Sequence, residues 1–161
     1  MNTKNKTKML ARSSMIAALY VVLTLFANAL GLASGAIQVR LSEALTVLPI
    51  FFPEAIWGLG IGCLISNIIT GCALPDIVFG TLATLIGAFG TYALKKNRLL
   101  AIMCPVISNS VIVPFVLKIA YGLGDAWYYL AFSVCIGELV SCVVLGKVVI
   151  KITDKYYNIL K

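Results

Sequence analysis

Of the 161 residues, 61% are hydrophobic and only 12% charged, and the mean hydropathy is +1.01. A soluble domain of this length has too little interior to hide so much apolar surface, so the expected class is an all-α integral membrane protein forming one compact bundle. The net charge of +7 does not indicate a nucleic-acid partner, because most of the thirteen Lys and Arg fall in three clusters flanking apolar runs: Lys4 to Arg12, Lys95 to Arg98, and Lys147 to Lys161.

The sequence contains no histidine. Most metal sites, Ser–His nucleophile pairs and the commonest general base are thereby removed. The five cysteines form no C-x-x-C pair and are odd in number, so they read as small buried hydrophobes rather than a disulfide framework. No enzymatic activity, metal or cofactor is expected.

In chain order, residues 1–8 form a polar, basic tail ahead of a transmembrane unit over residues 9–150. The first span runs from Met9 to about Ala33. Its basic start and Ala27-Asn28-Ala29 imitate a cleaved leader, but the apolar stretch is too long and further spans follow, so no cleavage is expected. Ser14 and Ala18, beside Ser13 and Ala17, make a small-xxx-small face of the kind that lets a neighbouring helix approach closely.

The stretch Leu41 to Thr70 reads as two crossings, Leu41–Phe52 and Glu54–Thr70, separated at Pro53. Charge parity supports the division. If the N-terminus is cytoplasmic, Lys95, Lys96 and Arg98 belong on the same side, which requires an even number of crossings between them. Gly58, Gly62 and Ser66 repeat at four-residue spacing on the third span, and Asn67 lies near its outer end. Pro75-Asp76 opens the fourth helix, with the acid at the positive end of the dipole. Asp76, Gly80, Thr84, Gly87 and Thr91 then share one stripe, and capping explains Asp76 as well as ligand contact does.

The fifth span, Leu99–Tyr121, holds Pro105 and Pro114, each freeing a carbonyl four residues earlier, with Ser108 and Asn109 between them. Lys118 is placed to snorkel. The sixth, Ala126–Ile150, carries Ser133, Gly137 and Ser141 on one face with Glu138 beside them near mid-span. An acid at that depth costs roughly 2.5–3.5 kcal/mol on insertion scales, so it is read as functional or as an essential interhelix partner. Residues 151–161 are a basic cytoplasmic tail. Six spans with both termini inside put Gln38, Arg40, Glu43, Asn67, Asp76, Lys118 and Asp125 in the outer half, and Asn109 and Glu138 nearer the middle. No polar stripe continues through the inner half, so an outward-facing pocket is expected rather than a channel.

The run GAIQVRLSEALTVLP at Gly35–Pro49, the glycine-rich third span with Asn67, and PDIVFGTLATLIG at residues 75–87 resemble the QueT family. These are substrate-binding S components of energy-coupling factor (ECF) transporters for queuosine precursors. The resemblance covers nearly the whole chain and implies a six-helix S-component fold in a prokaryotic plasma membrane, with an outward pocket partly lidded by the loop after the first helix. It also implies docking onto a transmembrane coupling subunit powered by two ATPase subunits. No G-x-x-x-x-G-K-[ST] run is present, so ATP hydrolysis would lie in those partners. S components often dock through an Ala-xxx-Ala face on helix 1. The nearest match here is Ser14-xxx-Ala18, which departs from it.

A 7-deazaguanine ligand suits the residue inventory. Its ring N–H and exocyclic amine suit one carboxylate, its carbonyl suits a donor such as Arg40, Gln38 or an Asn, and a cationic aminomethyl arm suits a second carboxylate. The ligand-binding candidates are therefore Gln38, Arg40, Glu43, Asn67, Asp76, Asn109 and Glu138, with the two ends of the ligand unassigned. Arg40 and Glu43 are alternatively an i,i+3 pair, although Arg at a helix N-terminus opposes the dipole. The rival readings are a self-sufficient small-molecule transporter and an S component for another vitamin or nucleobase-like nutrient.

Overall fold

The computed structural model of the chain describes residues 3–32, 39–122 and 126–160. Among them the secondary structure is entirely helical. Helix α1 spans Thr3–Ala29 and takes up most of the basic leader. A 3-10 helix at Leu41–Ile50 follows, then α2 (Ala55–Ile69), α3 (Leu74–Ala93) and α4 (Arg98–Tyr121). Helix α5 (Trp127–Glu138) passes through a π-helical stretch (Leu139–Leu145) into α6 (Gly146–Leu160) with helical dihedrals at both joints. The helix thus extends through residues read from sequence as a tail.

Among the described residues, four segments are long and apolar enough to cross a membrane: Asn5–Ala29, Leu74–Ala93, Arg98–Ala120 and Trp127–Tyr157. Leu41–Ile50 and Ala55–Ile69 are helical where spans are expected but have 10 and 15 residues. At about 2.0 and 1.5 Å per residue each reaches roughly 20 Å, short of the ~30 Å hydrocarbon core. Proline explains the break. Pro49 and Pro53 both lack an amide hydrogen, so an α-helix cannot run through the junction, and the chain turns at Phe51–Glu54.

The small residues read as stripes sit where helices touch. A Cβ on Gly58 would lie 2.6 Å from the Ser13 carbonyl oxygen, and one on Gly62 would lie 2.7 Å from Tyr20 Cβ, so α2 packs directly on α1. A Cβ on Gly87 would lie 2.7 Å from Pro105 Cα, where α3 meets α4. Two hydrogen bonds lock that contact. Pro105 frees the Ala101 carbonyl, and Thr91 Oγ1 donates to it at 3.0 Å, while Ser108 Oγ donates to Ala83 O at 2.7 Å. A freed carbonyl inside a membrane needs such a partner.

The end of the bundle bearing the basic residues is held by charge and stacking. Arg12 pairs with Glu54, Arg98 makes a two-pronged pair with Asp154 at 2.6 and 2.9 Å, and Tyr157 lies 5.8 Å from Phe52, ring to ring. Residues Val22, Phe26, Ile68, Phe79 and Ile119 point outward, which suits a surface that meets lipid rather than water.

Candidate ligand pocket

A cavity of about 310 Å³ opens at the end of the bundle opposite the Arg98–Asp154 pair. Its polar wall includes Thr24, Asn28, Arg40, Asn67, Thr70 and Asp76. Helix α2 ends as Gly71 turns left-handed (φ 72°) and Cys72 N donates to Asn67 O at 3.0 Å. This tight return sets Asn67, on the last turn of α2, near Asp76, on the first turn of α3. Gly80 leaves them room, since a Cβ there would lie 3.3 Å from both Asn67 Nδ2 and Asp76 Oδ1. Arg40 precedes the 3-10 helix in extended backbone and lines the cavity with Asp76.

Behind this wall lies a second, fully buried cluster. Glu43 is 0% exposed and Glu138 4%. Asn109 Nδ2 donates to Glu138 Oε1 at 2.9 Å, and the Cys142 thiol donates to Glu138 Oε2 at 3.3 Å. Tyr20 donates its hydroxyl to Glu43 Oε1. Glu43 Oε2 has no hydrogen-bond partner among the described residues. Ligand atoms of Glu43, Glu138 and Cys142 all lie within 4.8 Å of one another, a spacing that suits a cation between them.

The candidate residues thus divide. Arg40, Asn67 and Asp76 line the open cavity, whereas Glu43, Asn109 and Glu138 form the buried cluster. Gln38 and Asp125 lie outside the described residues, and Lys118 is exposed. The sequence reading missed Tyr20, which lines the cavity and also caps Glu43. Its signal was a phenol within an apolar span, where a hydroxyl needs a partner. Cys142, read only as a small hydrophobe, is also a donor.

A separate groove of about 620 Å³ runs along α1 and α2, lined by Ser14, Ala18, Trp57, Ile61 and Ile65. Ser13 and Ala17 turn inward toward Gly58 and Gly62, and Ser14 and Ala18 remain exposed.

Residues 10–155 match the QueT transporter family. The chain belongs to that family. Members of that family are described as transporters. Over 83 residues it is 36% identical to the Lactococcus lactis subsp. cremoris (strain MG1363) protein named queuosine precursor transporter QueT, a stretch covering 52% of this chain and 48% of that relative. No solved structure matches it.

Proposed function

We propose that this chain is the substrate-binding S component of an ATP-driven ECF importer and captures a queuosine precursor of the 7-deazaguanine type. The observation that carries this reading is the convergence of Arg40, Asn67 and Asp76 on one cavity, with the Glu43–Glu138 cluster directly behind it. Such a set supplies both a carboxylate for the ring's donor edge and donors for its carbonyl. The family and the relative's name supply the solute class. Titration calorimetry of the purified chain with 7-aminomethyl-7-deazaguanine tests it, and absence of any heat of binding removes it.

Six crossings with both termini cytoplasmic place the cavity on the outside. The 3-10 helix and α2 then form the two short crossings, with their ends covered by protein. Cysteines introduced singly at Lys96 in a cysteine-free background are expected to resist an impermeant thiol reagent applied from outside. Labelling there would invert the orientation.

The exposed Ser14–Ala18 face is proposed to receive a helix of the coupling subunit. Ser14→Leu or Ala18→Leu is expected to reduce copurification of the coupling and ATPase subunits while ligand binding by the isolated chain stays within about threefold, because both side chains point away from the cavity. Loss of ligand binding with normal assembly would show the face packs internally. Failure of the parent to bring down any ATPase would favour a self-sufficient transporter.

A further inference from the structure

We infer that the Glu43–Glu138–Cys142 cluster is a receptor for a primary ammonium group, so that the chain selects ligands carrying an aminomethyl arm over neutral counterparts. The inference rests on the 7-deazaguanine reading above and assigns the two ends of the ligand, ring in the cavity and arm in the cluster.

Three observations carry it. First, two carboxylates and a thiol hold ligand atoms within 4.8 Å of one another at near-zero exposure, and two desolvated like charges so close are costly without a cation between them. The ion pairs among the described residues, Arg12–Glu54 and Arg98–Asp154, lie at the other end of the bundle. Second, Glu43 Oε2 is buried without a hydrogen-bond partner, an acceptor in need of a donor. An ammonium has three N–H donors and no acceptor, which suits two carboxylate oxygens and a sulfur converging on one point. Third, Tyr20 stands between the two sites, lining the cavity and donating to Glu43 Oε1.

The remaining groups fit the other end. Arg40 lines the cavity with Asp76, and its charge also reaches Glu43 and Glu138, so its guanidinium is placed for the ring carbonyl at the cavity end of the cluster. Asp76 is placed for the ring N–H and exocyclic amine, with Asn67 adjacent. A neutral substituent in the cluster would leave the buried Glu43 Oε2 unpaired.

Calorimetry of the purified full chain with 7-aminomethyl-7-deazaguanine and its neutral 7-cyano counterpart tests this. The parent is expected to prefer the aminomethyl ligand by on the order of ten- to a hundredfold, the range for a charge-assisted hydrogen bond over none. Glu138→Gln should remove most of that preference, with thermal unfolding in detergent showing that the variant is folded. Glu43→Gln serves as a second variant should Glu138→Gln not fold. Equal binding of both ligands by the parent overturns the inference and leaves the 7-deazaguanine reading intact, as does a preference that survives in both variants. Binding of neither ligand overturns that reading and this inference with it.

Discussion

Arg40→Ala is expected to lower the affinity of the purified chain for the proposed 7-deazaguanine ligand by roughly thirty- to several-thousand-fold. Removing one member of a buried charged set typically costs about 2–5 kcal/mol, which converts to that range. Here the loss is compounded, because the cavity wall loses a cation and the proposed ring carbonyl loses a donor. Arg40→Lys should fall between the two, since it keeps the charge and loses the two-pronged donor geometry. Calorimetry with the aminomethyl ligand measures both, and thermal unfolding in detergent checks that the proteins remain folded. Parent-like affinity in Arg40→Ala would place the ring elsewhere.

A large structural effect is expected at Gly87. A Cβ there would lie 2.7 Å from Pro105 Cα, 3.0 Å from Pro105 Cβ and 3.3 Å from Pro105 N. These atoms belong to backbone and a closed ring, so none of them can rotate away. Gly87→Val must therefore separate α3 from α4, which also breaks the Thr91–Ala101 and Ser108–Ala83 hydrogen bonds. Overpacking alone costs about 1–3 kcal/mol, and the two lost bonds add about 1 kcal/mol each. Gly87→Val should consequently fail to give a monodisperse protein, and Gly87→Ala should melt well below the parent. Gly60→Ala is the comparison: its new Cβ meets the side-chain end of Leu85, which can change rotamer, so a much smaller drop is expected. Equal melting of Gly87→Ala and the parent would mean the helices are not in contact here.

Much of this was legible because membrane sequences carry few polar groups and each has to be satisfied. The stripe Asp76, Gly80, Thr84, Gly87 and Thr91 is buried along its length, as its spacing implied. The prolines of α4 were read as freeing carbonyls, and Thr91 accepts that role for one of them by donating to Ala101. Length was less legible. Charge parity counts crossings but does not measure them, so the 3-10 winding of Leu41–Ile50 and its short reach emerged only in three dimensions. In the pocket, residue chemistry selected Arg40, Asn67, Asp76, Glu43, Asn109 and Glu138, yet could not separate the cavity wall from the cluster behind it. That division depends on Tyr20, whose partner Glu43 lies on a different element. Helical periodicity along α1 says nothing about such a partner.

The wide turn at Leu139–Leu145 has a consequence for how the last helix is to be read along its length. A π turn closes on the fifth residue rather than the fourth and so carries a residue more than regular helix does. Upstream, Glu138 is fixed by Asn109, and downstream, Asp154 is fixed by Arg98. The two anchors therefore belong to different reading frames of one rod, and a wheel drawn from Trp127 onward misplaces the face of everything below the turn. Loss of a residue within the wide turn, beyond Cys142, would restore regular winding with both anchors still in phase. The same loss at Ile152, in regular helix, would swing Asp154 by about 100° away from Arg98.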